Sequence, residues 1–449
     1  MMKKITLILS FLVFWQVSMA DEGMWLINLI TRNMAQMEAM GIKLTAEDIY
    51  SINHSSIKDV IVQLDDGSCT AELISGKGLV LTNHHCAVDA IQLKSTPEHN
   101  LLKDGFFARN LKEELPIPGK TAMILVSVEE VTEKVLQGIN DRLSSPEYFN
   151  VLYTRMDSIA NASTQNGKFY AIVKPMYNHN SFYLFLYERF LDVRLVAAPP
   201  TSIGNYGGDV DNWHWPRHTG DFSMFRIYTS PDGKPAEFSK KNIPYVLKRF
   251  LNISTKGVNE GDFAMIIGYP GTTYRYASPY EAMQARDVLA PWKDKVWGEF
   301  IKIIKDAQSK DVKVKVDYTD KHDMLVNFWQ KDTWQAESMF RFNVVERPQS
   351  REDSLKSWVS KKPSSRTKYM SSIPMISDYF KTYRENKWEE LTGSLSALLD
   401  YPVDVSKNIN SCDELFSAML SKKNIKKATR IINKRIPKIF ENYHSDPDV

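Results

Sequence analysis

The feature that most constrains the fold of this chain is a stretch that begins and ends with a cysteine, residues 69–86. Two short apolar segments flank the sequence Gly76-Lys77-Gly78, which predicts a β-hairpin with a tight turn. A hairpin brings its outer ends together, so a disulfide between Cys69 and Cys86 is sterically natural. That bond would hold His85 at the lip of a small β-barrel. Two interpretations stay open: a histidine fixed for chemistry, or an ordinary disulfide hairpin with a surface histidine pair.

The amino terminus has the pattern of a secretory signal peptide. Lys3 and Lys4 precede an apolar run that is too short to cross a membrane, and the small residues Ser18 and Ala20 precede the expected cut. We therefore expect residues 1–20 to be removed and the protein to lie in the periplasm or at the cell surface. Export permits disulfides. No later apolar run has the length of a membrane span, so none is expected after signal removal.

The charge balance gives no reason to expect a polyanionic partner. The chain has 57 Lys and Arg against 54 Asp and Glu. Removing Lys3 and Lys4 with the signal leaves 55 against 54, a net charge of about +1. Nucleic acid is therefore not expected as a partner.

Hydrophobic patterning divides the chain near residue 279. Before this point the segments read mostly as strands, the last of them at 263–268, and after it helical spacing predicts helices such as 291–307 and 322–335. A segment rich in Ser, Lys and Arg, 350–372, is expected to be a loop. The prediction is a β-plus-α fold with a mostly β domain over 21–279 and a helical domain over 280–449.

A second informative stretch, 207–222, crowds glycine, aspartate and two tryptophans into one loop. Aromatic side chains concentrated in this way usually line a pocket or an interface. Asp221 stands at the mouth of the next predicted strand, 221–228, and is placed to orient a histidine, although the alternative of a strand-end cap or turn residue stays open. Asp209 and Asp211 lack matching further ligands, so we expect loop hydrogen bonding, no metal and no cofactor.

Taken together, these stretches resemble the N-terminal part of the bacterial dipeptidyl-peptidases of peptidase family S46. The similarity extends over residues 21–449, and the most specific tract is the one from Asn212 to Ser223. The matching motifs are Asp21-Glu-Gly-Met-Trp25, Cys69-Thr70, Leu79-Val-Leu-Thr-Asn-His-His-Cys86, Asp211-Asn-Trp213, Trp215-Pro-Arg-His-Thr-Gly-Asp-Phe-Ser223 and Gly268-Tyr-Pro-Gly271.

The resemblance implies a fold and a set of roles. The fold would be a chymotrypsin-like double β-barrel, incomplete in this chain, with an α-helical cap domain that is also incomplete. His85 and Asp221 would be members of a Ser–His–Asp triad. Asn212, Trp213 and Asn327 would hold the free α-amino group of a peptide substrate. Without the resemblance, Asn327 would be an ordinary polar residue on a helix.

The chain departs from the family pattern in three places. Ala71 stands where the family usually has Gly, and His214 where Met is common. The third departure is that the family's nucleophile lies in a C-terminal Gly-Asn-Ser-Gly-type motif, and these 449 residues contain no such motif. Gly393-Ser394 lies in a predicted helix without the flanking glycines of an oxyanion hole. We therefore expect the His–Asp half of an enzyme, inactive by itself.

Three functions are compared. The first is a secreted serine exopeptidase that releases dipeptides from peptides with a free N-terminus, expected as a homodimer in its full-length form. The second is a truncated, non-catalytic homologue that still binds peptides. The third is a chymotrypsin-like endopeptidase, which the helical half and the Asn212–Trp213 loop argue against, because endopeptidase clefts are open at both ends.

Overall fold

The structure is a computed structural model that describes residues 24–139, 145–271, 277–362 and 369–385. It has a mixed α/β fold with an antiparallel sheet, and its contacts divide the chain into two units. The first unit runs to Gly208 and resumes from His218 to Thr272, and the second contains Asp209–Arg217 and the chain after Thr272. The predicted signal peptide, 1–20, and Cys412 lie outside the described residues.

The described part of the first unit contains one eleven-stranded sheet in which every pairing is antiparallel. The main path runs β4-β9-β10-β3-β2-β1-β6-β8-β7, while β11 pairs with β10 and β5 with β9. The strands are β1 Ile61–Leu64, β2 Cys69–Leu73, β3 Leu79–Thr82, β4 Phe106–Phe107, β5 Leu115–Pro116, β6 Ala122–Glu130, β7 Tyr170–Met176, β8 Ser181–Phe190, β9 Asp192–Ala198, β10 Ser223–Thr229 and β11 Ile243–Pro244.

The predicted hairpin is formed by β2 and β3, with Leu73 opposite Val80. Its turn needs glycine at Gly78, because φ is +64° there and a Cβ atom would lie 2.7 Å from the carbonyl oxygen of Ile227. On its other edge β3 pairs with β10, and Thr82 lies opposite Ser223. The end of β3 and the start of β10 therefore lie side by side, which brings the residues that follow Thr82 next to those that precede Ser223.

The core of the first unit lies against these central strands. Val62, Leu73, Val80 and Phe225 have no exposed surface and belong to one cluster of buried apolar residues. Fully burying a side chain of this kind is worth about 1.5–3 kcal/mol. The strands that lead to the predicted site residues are thus among the best-packed parts of the described chain.

Helices occur in both units, and the described part of the second unit is mostly helical. Those of the first unit are Met34–Ala39, Ala46–Ile49, Val88–Leu93, Leu101–Asp104, Thr132–Leu136, Ser145–Ser163 and Thr201–Gly204, with 3₁₀ turns at Ile27–Asn33, Ile57–Val60 and Asp65–Gly67. Helix Gly208–Asp211 spans the first crossing between the units. The second unit has Pro279–Gln284, a π-helical turn at Ala285–Leu289, and helices Ala290–Lys310, Val312–Asp317, Thr319–Arg341, Glu346–Ser360 and Ser372–Glu385.

The second unit has an apolar core of its own. Trp297, Ile304 and Leu325 are buried together, with Trp292 and Trp329 packed against them. These side chains come from helices Ala290–Lys310 and Thr319–Arg341. Nowhere in the described residues is a helix both long and apolar enough to cross a membrane.

Two local predictions were wrong. The segment 263–268 is not a strand: Phe263 and Ile267 pack on a buried cluster with Met37 and Ile49 instead of pairing in the sheet. The segment expected to be a loop begins inside helix Glu346–Ser360. That helix is supported by a Glu352–Lys356 ion pair at 2.7 Å, one turn apart, and by burial of Val359. Its high charge is that of an exposed helix face.

Candidate active site

The residues around the end of β3 and the start of β10 form a histidine–aspartate pair. The Nδ1 atom of His85 lies 2.8 Å from Oδ2 of Asp221, and the His85 backbone N–H donates to Oδ1 at 3.1 Å. A carboxylate accepts only, so Nδ1 carries the proton and Nε2 is left as the acceptor. The two residues lie beside strands that are adjacent in the sheet, because His85 follows β3 and Asp221 precedes β10, although 136 residues separate them along the chain.

A third residue, Asn83, holds the same carboxylate. Its Nδ2 atom donates to Oδ2 of Asp221 at 3.1 Å and to the Asp221 carbonyl oxygen at 3.2 Å. Burial disfavours the charged form of Asp221, but the hydrogen bonds from His85 and the attraction between the two groups outweigh it and lower the pKa of Asp221. The carboxylate is therefore ionised at neutral pH. The His85 side chain is 68% exposed, so its ring is open to a reacting group.

The predicted disulfide between Cys69 and Cys86 is present, with 6.0 Å between the two Cα atoms. It ties the start of β2 to the residue directly after His85. His84, by contrast, is buried and lies against Gly204, where an added Cβ atom would come within 2.2 Å of its ring. Of the two adjacent histidines, one therefore packs inside and the other faces outward.

One group in the described residues has the spacing of metal ligands, and it is made of Cys69, His85 and Cys86. Both sulfur atoms are already joined in the disulfide, so neither can act as a thiolate ligand. This group is therefore unsuited to a metal ion.

The other predicted site residues meet in the second unit. The Nδ2 atom of Asn212 donates to Oδ1 of Asn327 at 3.1 Å, and the indole N–H of Trp213 donates to the Asn327 carbonyl oxygen at 3.1 Å. Trp213 adopts a positive φ of 59°, and its indole N–H contacts helix Thr319–Arg341 at Asn327. Asn212, Trp213 and Asn327 thus form one cluster, although the last is more than a hundred residues away in sequence.

Two further members of this cluster were missed by sequence reasoning. Gln330 accepts from Asn212 Nδ2 at 2.9 Å, and Arg217 donates to Asn212 Oδ1 at 3.0 Å. Gln330 lies three residues after Asn327, which places both on one helix face. That spacing was the available signal, but glutamine is common on helices and its burial cannot be read from the sequence.

The chain is similar to known proteins over most of its length. The family model described as Peptidase S46 matches residues 20–445. The chain is 40% identical over 381 residues to dipeptidyl-peptidase 7 of Capnocytophaga gingivalis, covering 84% of this chain and 52% of that protein. It is 42% identical over 333 residues to the Asp/Glu-specific dipeptidyl-peptidase of Porphyromonas endodontalis, covering 73% of this chain and 46% of that protein.

The chain is also similar to solved structures. The crystal structure of Porphyromonas endodontalis DPP11 in complex with the dipeptide Arg-Glu matches with a TM-score of 0.79 and 32% identity, covering 94% of this chain and 60% of that one. The complex with Arg-Asp matches with a TM-score of 0.75 and 35% identity, covering 82% and 53%. The chain thus spans about half the length of the curated relatives it matches.

Proposed function

The chain belongs to peptidase family S46, and on that premise we propose that it carries the His–Asp half of a serine-type dipeptidyl-peptidase. The enzyme would release dipeptides from peptides with a free N-terminus. The observation that carries the proposal is the 2.8 Å hydrogen bond between His85 Nδ1 and Asp221 Oδ2. The relatives named as dipeptidyl-peptidases, and the solved complexes with dipeptides, support the reaction and the class of substrate.

The proposed chemistry is acyl transfer to a serine. His85 Nε2 accepts the serine proton as the hydroxyl attacks the peptide carbonyl, and it then delivers that proton to the leaving amine. Asp221 keeps the ring in the correct tautomer and stabilises the imidazolium that forms. A ring held by a carboxylate through Nδ1 presents Nε2 without a prior rotation, which is what general-base catalysis requires.

The proposed reason for dipeptide release is a site for the substrate's α-amino group. Side-chain carbonyl oxygens of Asn212 and Asn327 can accept hydrogen bonds from an ammonium, and Trp213 is tied to the same helix by its indole N–H. Binding of the free amine would restrict the substrate to peptides with an unblocked N-terminus. This end-anchored binding supports an exopeptidase rather than an endopeptidase.

The proposed function also implies a fold and a location for the protein. We propose that the sheet of the first unit belongs to a chymotrypsin-like barrel and that the helices of the second unit form a cap. Residues 1–20 would direct the chain across the inner membrane to the periplasm or cell surface. The full-length form is proposed to be a homodimer.

We also propose that these 449 residues do not include the nucleophile. They contain no Gly-x-Ser-Gly sequence, and in the described residues no serine hydroxyl is hydrogen-bonded to the His85 ring. Without a serine no acyl-enzyme forms, so residues 21–449 alone are expected to be inactive. No specific observation favours the alternative of a non-catalytic binding protein.

The test joins residues 21–449 to the part of Capnocytophaga gingivalis dipeptidyl-peptidase 7 that follows the matched region. We expect the joined protein to cleave a chromogenic dipeptide substrate with a free amine and to leave its N-acetyl form intact. His85→Ala should reduce kcat on the order of 10⁴-fold or more.

The controls separate the alternatives. Residues 21–449 alone should neither cleave the substrate nor react with a fluorophosphonate, and robust turnover that disappears in His85→Ala would mean that a serine within these residues is the nucleophile. Peptide binding without any cleavage by the joined protein would favour the non-catalytic homologue. Equal cleavage of free and acetylated substrates would contradict the exopeptidase.

A further inference from the structure

Gln330 is a buried polar residue with both ends of its amide engaged. Gln330 lies on helix Thr319–Arg341 and is only 4% exposed. The Nε2 atom donates to the backbone carbonyl oxygen of Asp209 at 2.7 Å, and Oε1 accepts from Asn212 Nδ2 at 2.9 Å. Leaving this buried amide without its hydrogen-bond partners would cost about 1–3 kcal/mol of stability, so the orientation of the Gln330 amide is strongly determined.

The orientation of Gln330 determines the orientation of Asn212. A backbone carbonyl can only accept, so the NH₂ end of Gln330 must face Asp209 and its oxygen must face Asn212. That oxygen in turn requires the NH₂ group of Asn212, and Asn327 Oδ1 takes a second hydrogen bond from the same group. The NH₂ group of Asn212 therefore faces Gln330 and Asn327, and the side-chain oxygen of Asn212 faces away from them.

The partner on the other side agrees with this assignment. Arg217 donates from its guanidinium to Asn212 Oδ1 at 3.0 Å, and arginine offers donors only. A donor therefore already lies at this oxygen in the structure, which shows that the Asn212 oxygen faces away from Gln330. A flipped Asn212 would present NH₂ to that cation and an oxygen to the Gln330 oxygen, leaving two unfavourable contacts.

We propose that Gln330 is a positioning residue that sets the polarity of the amine site, by forcing Asn212 to present an oxygen rather than an NH₂ group to the substrate's ammonium. The inference rests on the proposed function, because it concerns how the same site recognises a free N-terminus. It predicts that Gln330 acts only through Asn212 and contributes nothing to peptides whose amine is blocked.

The experiment measures binding of the dipeptide Arg-Glu and of N-acetyl-Arg-Glu to residues 21–449 by calorimetry. Gln330→Met keeps the side-chain volume and removes both polar ends, so the helix should be retained. Losing one oriented hydrogen bond should weaken binding of the free dipeptide about five- to tenfold, with no more than about a twofold change for the acetylated one. Gln335→Met, at an exposed position on the same helix, is the matched control and should change neither.

Repeating the Gln330→Met substitution in a protein that already carries Asn212→Asp distinguishes a positioning role of Gln330 from a general structural role. In Asn212→Asp both side-chain oxygens accept, so no orientation needs to be set, and adding Gln330→Met should then cause no further loss. The same loss in both backgrounds would overturn the inference, as would a free-over-acetylated preference that survives Gln330→Met. Equal binding of the two dipeptides by the unsubstituted chain would instead overturn the proposed function and this inference with it.

Discussion

At the scale of single residues, the ionised carboxylate of Asp221 organises the candidate active site. It receives the ring N–H and the backbone N–H of His85 and the side-chain amide of Asn83. Burial acts to raise the pKa of Asp221, but the hydrogen bonds and the charge of His85, together with the backbone N–H of His84, outweigh burial and lower that pKa. The carboxylate thus holds both the position and the tautomer of the ring, and Asn83 limits the positions that the carboxylate itself can take.

The lowered pKa of Asp221 predicts a pH dependence of stability. The pKa of Asp221 is near 3.8 in the unfolded chain and lower in the folded chain. The stabilisation that the ionised carboxylate provides is therefore fully present above the unfolded-state pKa and is lost as the pH falls through the folded-state pKa. Since the His85 side chain is 68% exposed, the contribution should be less than about 1 kcal/mol. Asp221→Asn should therefore flatten the fall in unfolding free energy below about pH 4.

This is measured by urea unfolding between neutral pH and the lowest pH at which the chain stays folded. Asp104→Asn, at an exposed aspartate outside the pair, is the matched control for the change of charge. The interpretation fails if Asp221→Asn and the unsubstituted chain show the same slope of unfolding free energy against pH.

At the scale of elements, the β2–β3 hairpin connects the core to the site. Its inward-facing residues Leu73 and Val80 are fully buried, whereas its two ends carry the disulfide that adjoins His85. The pairing of β3 with β10 then brings Asp221 to the same edge. The site residues therefore lie in short segments attached directly to paired strands, which limits their movement, as a fixed general base requires.

The disulfide should contribute measurably to this rigidity. It joins cysteines 17 positions apart, and closing a loop of this size is worth about 3 kcal/mol in the chain-entropy account. The double variant Cys69→Ala, Cys86→Ala should lose about that much unfolding free energy. Urea unfolding without reductant is the measurement, and Cys412→Ala is the control, at a cysteine outside the described residues. An unchanged urea midpoint in the double variant would contradict the prediction.

At the scale of the whole molecule, each unit has a core of its own, and the first also exposes apolar side chains. Val246, Ile253, Val258 and Ile266 are between 65% and 99% exposed within one stretch of that unit. Exposed apolar surface on a folded protein can mark an interaction site or a tendency to associate. The stretch also includes the segment that was expected to be a strand and does not pair in the sheet.

We therefore expect residues 21–449 to bind a hydrophobic dye and to self-associate at moderate concentration. Replacing Val246, Ile253, Val258 and Ile266 by serine should reduce dye fluorescence and raise the concentration at which the chain remains monomeric. Light scattering and dye titration check this. A matched variant that replaces exposed polar residues of the same stretch should change neither property, and a monomeric unsubstituted chain without dye binding would refute the expectation.

The sequence by itself determined the local elements and the family. The hairpin, its disulfide, and the helices predicted at 291–307 and 322–335 follow from spacing and turn residues, which depend on neighbours along the chain. The motifs around His85 and Asp221 were specific enough to identify peptidase family S46. The segment 350–372 was misjudged because helix Glu346–Ser360 is highly charged, and the composition of an exposed helix resembles that of a loop.

Only the tertiary structure decided which distant residues meet. The order of strands, the passage of Asp209–Arg217 into the second unit and the burial of Gln330 against Asn212 all depend on packing between segments far apart in sequence. Such contacts are selected by the burial of apolar surface and by the need to satisfy buried polar groups, and both are properties of the assembled chain. A glutamine on a helix therefore carries no sign of its role until the loop that it orients is packed against it.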